Sequence, residues 1–139
     1  MLDDPWARRP YPGDDYALPF GKAKTTVSGD DITIVTWGAM VPRCEEAAEG
    51  RSADVIDLRT LVPWDREAVL TSVRRTRRCL IVHEDLQTAG FGAEIAAVVA
   101  DAAFMDLDAP IARLTMPDIP SPHNPVLLDR SEERRVGKE

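Results

Sequence analysis

The sequence has few residues that could mark a metal site, a disulfide framework or a membrane span. Two of its 139 residues are cysteine and two are histidine. Cys44 and Cys79 form no CxxC pair and have no histidine at metal-ligand spacing, so we interpret both as reduced thiols that pack in the interior of a cytosolic protein. The longest apolar run near the predicted last helix, residues 95–100, is far shorter than the ~20 residues of a membrane span. The start of the chain lacks a basic region before an apolar run, so we predict no signal peptide and a bacterial-type cytoplasmic location.

Positive charge is also in deficit. The chain has 17 lysine and arginine residues against 24 acidic ones, which gives a formal net charge of -7. An acidic chain is a poor match for nucleic acid or an anionic membrane, because both require basic patches. The hydrophobic share of 44% and the charged share of 29% are typical of a globular protein, and the length suits one compact domain.

The chain begins with a proline-rich segment and continues as alternating strands and helices. Residues 1–20 contain prolines at a density that excludes helix and central strand, so we predict an extended linker. It is unusually aromatic for a free linker and is expected to lie against another surface, through Trp6, Tyr11, Tyr16 and Phe20. Apolar and β-branched runs predict strands at residues 22–27, 32–36, 53–58, 79–83 and 111–114. Periodic apolar positions predict helices at residues 40–48, 65–75 and 91–104.

This alternation predicts βαβ units, and therefore an α/β fold in which a mainly parallel sheet is covered on both faces. Asp65 is the expected N-cap of the second helix. The third helix is apolar on most sides, which predicts burial against the sheet or against a second subunit. A proline-rich, rigid loop is expected at residues 117–125.

Two segments after the fourth predicted strand could carry chemistry. His83-Glu84 follows a strand at the edge where open α/β sheets bind ligands, so it could act as a general acid or base or contact a substrate. The alternative, which we favour, is that His83 makes an interface hydrogen bond and that Glu84 begins a turn. Gly90-Phe-Gly92 could cradle a phosphate at a helix start, although a tight strand-to-helix turn explains the glycines better.

Four further features have both a structural and a functional interpretation. His123 lies in the proline-rich loop and could contact a partner or be buried within it. Arg59 could bind a carboxylate, although an ion pair inside the domain is the commoner arrangement. Trp64 is interpreted as a packing residue. The last feature is a cluster of four arginines, which is either a solvated helix end or a docking patch. It consists of Arg74, Arg75, Arg77 and Arg78.

The combination and order of these segments identify a family. The informative segments are Leu18–Lys24, Val35–Met40, Val55–Asp65, Ile81–Glu84 with Thr88–Ile95, Leu107–Pro110 and Pro117–Pro120. Together they resemble the C-terminal domain of the β subunit of thiamine-diphosphate-dependent 2-oxoacid dehydrogenases. Trp64-Asp65 and His83-Glu84 are most similar to the branched-chain, or 2-oxoisovalerate, type. Pyruvate and acetoin dehydrogenases have a similar domain.

The resemblance implies a three-layer α/β/α fold like the C-terminal domain of transketolase. In that fold the five-stranded sheet is mostly parallel and has an antiparallel edge strand. The resemblance also implies that strands 32–36 and 79–83 are neighbours, so that Trp37 and His83 flank one crevice or interface. The candidate residues for this crevice or interface are Trp37, His83, Glu84, Phe91 and His123.

The resemblance further implies an assembly role. Its expected partners are the α subunit and the second β subunit of a heterotetramer, and the dihydrolipoyl acyltransferase core. In the family, thiamine diphosphate, its Mg²⁺ and the catalytic histidines belong to the α subunit and the N-terminal domain of the β subunit. No catalytic, cofactor-binding or metal-ligating residue of this chain matches them. We therefore expect no cofactor in this chain, which lacks clustered oxygen ligands and a complete glycine-rich cradle.

Both ends of the chain depart from the family pattern. Met1 falls in what resembles the linker between the two β-subunit domains, so we expect the N-terminal domain to be missing. The similarity ends after Leu128, and residues 130–139 read like the translation of a sequencing adapter. We therefore predict a linker at 1–20, a transketolase C-terminal-like domain at 21–129, and a non-native tail at 130–139.

Three functions remain open at this point. The first is the assembly and docking domain of a dehydrogenase that oxidatively decarboxylates 2-oxoacids and acylates lipoamide, with the fragment inactive alone. The second is a non-catalytic interaction domain. The third, an unrelated flavodoxin-like domain, is disfavoured because no phosphate loop follows the first parallel strand.

Overall fold

A computed structural model describes residues 10–119, which form a five-stranded mixed sheet with helices on both faces. The strands are β1 (Lys24–Val27), β2 (Ile32–Thr36), β3 (Ala53–Asp57), β4 (Cys79–Leu86) and β5 (Ala112–Met116). The helices are α1 (Met40–Ala48), α2 (Arg66–Thr76) and α3 (Phe91–Ala103), and a 3-10 turn at Phe104–Asp106 follows α3. This confirms the predicted α/β fold class.

The strand order places β2 at the centre of the sheet. The order is β1-β3-β2-β4-β5, and β1 is antiparallel to β3 while the other neighbours are parallel. Strand β2 is paired with β4, so that Thr36 lies opposite Val82. The expected neighbours and the antiparallel edge strand are both confirmed.

The core lies in two layers because successive side chains of a strand point to opposite faces. On one face, buried Val35, Ile56 and Ile81 pack with residues of α2 and α3. On the other face, buried Ile34, Val55 and Val82 pack with residues of α1. Trp64 and Cys79 are buried in the first layer, and Cys44 is buried in the second, as predicted for packing residues.

Strand β4 continues beyond its predicted end, and the predicted turn at Glu84 was wrong. Glu84 and Asp85 lie within the strand, and Leu86 is paired with Met116 after an irregularity in the ladder. The three residues that follow His83 are exposed, so the apolar pattern stops where burial stops while the backbone pairing continues. The apolar sequence pattern reflects burial, so it does not reveal this extension of the strand.

Helix α3 is less buried within the described chain than its composition predicts. Its buried residues are Gly92, Ile95, Val99 and Ala103, which form one face, whereas Ala97, Ala100 and Ala102 are exposed. Alanine counts as an apolar residue in a sequence pattern. Exposing its side chain to water nevertheless costs little free energy, because the side chain is small. One face of α3 is therefore buried against the sheet, and burial of the remaining face by a second subunit stays a prediction.

The part of the proline-rich segment that the structure describes, residues 10–21, contains neither helix nor strand, as predicted. Tyr11, Tyr16 and Phe20 are exposed there, while Trp6 lies outside the described residues. Within residues 10–119, no helix combines the length and apolar character needed to cross a membrane. The 130–139 tail and most of the predicted 117–125 loop lie outside the described residues.

Candidate functional site at the carboxyl edge of the sheet

The carboxyl ends of β2 and β4 lie side by side where the chain reverses its direction across the sheet. From β2 the chain crosses to β3 on one side, and it reaches β4 on the other side. Such a point opens the crevice in which α/β folds commonly bind ligands. Trp37 follows β2 and His83 lies in β4, so both side chains are placed at this point.

Three of the predicted residues form one aromatic cluster here. The rings of Trp37 and His83 are stacked, with centroids 5.0 Å apart and planes 11° from parallel. Phe91, the first residue of α3, meets Trp37 edge-on at 6.1 Å. The structure thus brings Trp37, His83 and Phe91 together, and we refer to these three residues as the aromatic cluster.

The imidazole of His83 is covered by the start of α3. His83 is 1% exposed, and a Cβ atom added at Gly92 would lie 2.2 Å from its Nε2. A Cβ atom at Gly90 would lie 2.9 Å from its Cε1 and 2.2 Å from the Leu86 carbonyl oxygen. The space that these two glycines leave is therefore filled by protein atoms. This arrangement favours the close-packing interpretation of Gly90-Phe-Gly92 over a phosphate cradle.

The other two candidates are not part of this cluster. Glu84 is exposed and, as the next residue of the strand, points away from the face that carries His83. His123 lies outside the described residues.

The loop between β4 and α3 is held by residues near the end of β5. The Asp118 carboxylate accepts hydrogen bonds from the Thr88 backbone N–H at 2.9 Å and from its hydroxyl at 2.6 Å. These bonds hold the pKa of the Asp118 carboxyl below its ordinary value. The Met116 carbonyl accepts from the Gln87 N–H, and Arg113 donates to the Gln87 carbonyl. No local sequence pattern indicates this contact, because it joins residues 30 positions apart.

Arg59 has the commoner of its two predicted arrangements. Its Nε lies 3.9 Å from Asp57 Oδ2, and its backbone N–H donates to Asp57 Oδ1. Burial raises the pKa of the Asp57 carboxyl, and the hydrogen bond and charge of Arg59 oppose that rise. The Arg59 guanidinium thus forms an ion pair inside the domain.

The predicted arginine cluster is also paired largely within the domain. Arg74 lies 3.4 Å from Asp106, Arg75 bonds Asp30 and Asp54, and Arg77 is bidentate to Asp108. Arg75 is part of a polar network that the sequence did not reveal, in which the buried Asp54 carboxylate accepts from Ser72 and from Arg75. The sequence did contain an indication of it, because Asp54 lies between the apolar residues Ala53 and Val55 of a buried strand.

At this edge the described residues offer packing and contact surface. Within residues 10–119, no set of three histidine, cysteine, aspartate or glutamate side chains could hold a metal ion. Both cysteines are buried, and burial raises the pKa of Cys44 and raises that of Cys79 to about 12. Because the thiolate is the reactive form of cysteine, neither thiol is activated as a nucleophile.

Comparison with known proteins places the chain in a family. Residues 21–131 match the family model described as transketolase, C-terminal domain. The β subunit 2 of mitochondrial 2-oxoisovalerate dehydrogenase from Arabidopsis thaliana is 48% identical, over 80% of this chain and 32% of its own length. The β subunit of 2-oxoisovalerate dehydrogenase from Bacillus subtilis is 44% identical, over 84% of this chain and 37% of its own. The chain thus spans about a third of the length of the curated relatives it matches.

Related enzymes and a solved structure agree with this result. The β subunit of the pyruvate dehydrogenase E1 component from Porphyra purpurea is 42% identical, over 81% of this chain and 36% of its own. A structure described as a split-gene transketolase, inactive β4 tetramer, superposes with a TM-score of 0.71 at 27% identity, over 89% of this chain and 41% of that one. The chain therefore belongs to the transketolase C-terminal domain family, in the form that β subunits of 2-oxoacid dehydrogenases carry.

Proposed function

We propose that this chain is the C-terminal assembly and docking domain of the β subunit of a branched-chain 2-oxoacid dehydrogenase. The parent complex would oxidatively decarboxylate 2-oxoacids and acylate lipoamide. The observation that carries this proposal is the 48% identity to a 2-oxoisovalerate dehydrogenase β subunit over 80% of the chain. The boundaries would be a linker at 1–20, the domain at 21–129 and a non-native tail at 130–139, in a bacterial-type cytoplasmic protein.

The described residues do not fit a site for thiamine diphosphate and Mg²⁺. Such a site needs clustered oxygen ligands for the metal and free N–H groups for the pyrophosphate. No metal-binding set occurs within residues 10–119, and at Gly90 and Gly92 protein atoms fill the space beside the backbone. Cofactor and chemistry would therefore lie in other parts of the parent enzyme, and this chain would contribute contacts.

The proposed partners are the α subunit, a second β subunit and the dihydrolipoyl acyltransferase core. The solved relative described as a β4 tetramer supports contact between β chains. The proposed contact surface is the carboxyl edge of the sheet, where Trp37 and Phe91 are half-buried and Glu84 is exposed. His123 is retained as a candidate for the same surface.

A chimeric β subunit tests this function. Residues 21–128 would replace the C-terminal domain of the Bacillus subtilis 2-oxoisovalerate dehydrogenase β subunit, coexpressed with its α subunit. We expect the chimera to copurify with the α subunit and to decarboxylate branched-chain 2-oxoacids. A chimera that folds but does not bind the α subunit would refute the assembly role.

A pair of charge reversals locates the contact surface in that chimera. Glu84→Arg should weaken assembly or docking on the acyltransferase core, because it reverses an exposed charge on the proposed surface. Glu46→Arg is the control, since Glu46 is also exposed but lies near the end of α1, towards the opposite edge of the sheet. Equal effects of the two substitutions would assign the contact to another surface.

The alternative is a β subunit of a pyruvate or acetoin dehydrogenase, or a free-standing interaction domain. The 42% identity to a pyruvate dehydrogenase β subunit favours the first of these over unrelated enzymes. A second chimera, built on a pyruvate dehydrogenase β subunit, distinguishes these alternatives from the branched-chain assignment. Better assembly in the pyruvate dehydrogenase background would favour that branch, and assembly in neither background would leave the interaction domain.

A further inference from the structure

A polar trough lies between the edge strand β1 and helix α2. Residues of β1 and β3 form its floor, α2 forms one wall, and its volume is about 460 Å³. This volume falls in the range of sites for small ligands, about 300–1,000 Å³. The lining includes Lys22, Thr25, Asp54, Ile56, Glu67 and Thr71.

At one end of the polar trough, the buried carboxylate of Asp54 has an oxygen that the domain does not use. Ser72 and Arg75 both donate to Asp54 Oδ2, whereas no described residue donates to Oδ1. The Asp54 side chain is only 4% exposed, and a buried carboxylate is stabilised by donors on both of its oxygens. Arg75 is shared with Asp30, so these three side chains carry one negative charge in excess. The free oxygen therefore favours a cationic donor that enters from the trough.

At the other end, two opposite charges lie close together without partners. The Ala23 N–H donates to Asp65, the N-cap of α2, so that Lys22 lies beside the first turn of α2, which contains Glu67. Lys22 and Glu67 are exposed and line the trough, and neither side chain forms an ion pair or hydrogen bond with a described residue. The carboxylate and ammonium of an α-amino acid would pair with both.

The two ends are joined by a floor and a wall that suit a methylene chain. Glu67, Thr71 and Arg75 follow one another at four-residue intervals, so they lie along one face of α2. At about 1.5 Å per residue, Arg75 lies about 12 Å from Glu67 along the helix axis. On the floor, Thr25 is paired with Ile56 across the β1–β3 ladder. A ligand that uses both ends must therefore be elongated, with a partly apolar stem.

We propose that the polar trough binds a basic α-amino acid of the lysine class. The α-carboxylate pairs with Lys22 and the α-ammonium with Glu67, while the terminal ammonium donates to Asp54 Oδ1. The methylene stem covers Ile56 on the floor. This site is independent of the assembly function proposed above, because it uses no residue of the aromatic cluster and no contact between subunits.

Calorimetric titration of the full 139-residue chain with three probes tests the proposal. L-lysine should bind at a single saturable site. L-norleucine lacks only the terminal ammonium, and 1,5-diaminopentane lacks the α-carboxylate. Each should bind roughly tenfold more weakly or worse, because each loses a charge-assisted hydrogen bond. The comparison with L-norleucine measures the contribution of Asp54 without disturbing the buried network.

Two substitutions assign the other end of the ligand. Lys22→Gln and Glu67→Gln should each weaken L-lysine binding roughly tenfold, with an unchanged far-UV spectrum because both side chains are exposed. Lys22→Gln should not weaken the binding of 1,5-diaminopentane, which has no carboxylate. Glu46→Gln is the matched control, since Glu46 is exposed on α1, which packs on the other face of the sheet.

Three results would overturn the proposal: no saturable binding of L-lysine, equal binding of L-norleucine, or equal weakening by Glu46→Gln. Failure here is distinguishable from failure of the proposed function. The chimera described above measures binding to the α subunit, which does not depend on the polar trough.

Discussion

At the scale of single residues, the carboxyl edge of the sheet depends on the fit between a histidine and a glycine. His83 lies between Trp37 on one side and the backbone of α3 at Gly92 on the other. Only a residue without a side chain lets α3 approach this closely, since a Cβ atom at position 92 would lie 2.2 Å from the imidazole. The glycine thus fixes where α3 begins.

Substitution of Gly92 by alanine should therefore destabilise the domain by about 1–3 kcal/mol, because the added methyl group overpacks the interior. The cost should be smaller in the His83→Ala background, where only Ile81 Cγ2, at 3.2 Å, still crowds the added methyl group and alanine favours the helix by up to about 1 kcal/mol. Urea unfolding of the wild type, both single variants and the double variant gives the coupling free energy. Additive effects would contradict the proposed contact.

The buried thiol of Cys79 should make stability dependent on pH above neutrality. Burial raises its pKa from 9.0 to about 12. The folded state thus keeps the proton more tightly than the unfolded state. The stabilisation is complete below pH 9 and is lost progressively between pH 9 and 12, at about 1.4 kcal/mol per pH unit.

Comparison of the wild type with Cys79→Ala isolates this effect. The difference in unfolding free energy between the two proteins should decrease as the pH rises above 9. Val99→Ala provides the control, because it creates a cavity in the same core cluster without removing a titrating group. A Cys79→Ala difference as independent of pH as the Val99→Ala difference would rule out the raised pKa.

At the scale of secondary-structure elements, α2 is joined to the turn between β1 and β2 by Arg75. Its guanidinium donates to the Gly29 carbonyl at 2.9 Å, to Asp30, and to Asp54 at 2.6 Å. The Asp54 side chain is 4% exposed, whereas the arginine itself is 46% exposed. One side chain therefore both connects two elements and neutralises a buried carboxylate.

Arg75→Met should destabilise the domain by about 2–3 kcal/mol, because it leaves the Asp54 carboxylate buried without its cation. Arg77→Met is a matched control: Arg77 also forms an ion pair with an aspartate, but its partner Asp108 is 49% exposed. An exposed pair of this kind contributes little to stability, because water screens the two charges. Equal losses in chemical denaturation would show that burial of the carboxylate is unimportant.

Elements were predicted well where burial and local pattern agree. The Asp65 N-cap is an example, since its carboxylate accepts from the Ala68 N–H as expected at the start of α2. The second half of β4 was missed because its side chains are exposed while its backbone is paired with β5. The pattern also did not indicate which face of α3 packs on the sheet, because alanine is found on both buried and exposed faces of helices.

At the scale of the whole molecule, the two edges of the sheet have different characters. The carboxyl edge carries the aromatic cluster and the exposed Glu84. The amino edge carries an apolar groove between the end of α3 and the segment that leads into β5, lined mainly by Ala100, Phe104, Met105, Leu107, Pro110 and Ile111. Neither edge, within the described residues, assembles groups that could hold a metal.

The isolated chain should neither bind thiamine diphosphate nor decarboxylate a 2-oxoacid. Calorimetric titration with thiamine diphosphate and Mg²⁺ should give no heat beyond dilution, because the described residues include no set of three metal-ligating side chains and protein atoms fill the space beside Gly90 and Gly92. The complete α and β subunits of the Bacillus subtilis relative serve as the positive control. A micromolar site on the isolated chain would contradict the assignment of chemistry to the rest of the parent enzyme.

The sequence by itself determined the fold class, the element order, the helix cap at Asp65 and the family. These depend on local spacing and on the order of short motifs, which are properties of a linear chain. Tertiary structure decided which of the candidate residues meet: Trp37, His83 and Phe91 come together only because β2 and β4 are adjacent. It also decided that Gly92 is required beneath His83, that Arg75 neutralises Asp54, and that Phe104 and Met105 stand beside an apolar groove. Such contacts join residues far apart in the chain, so their energies depend on distances that no local pattern encodes.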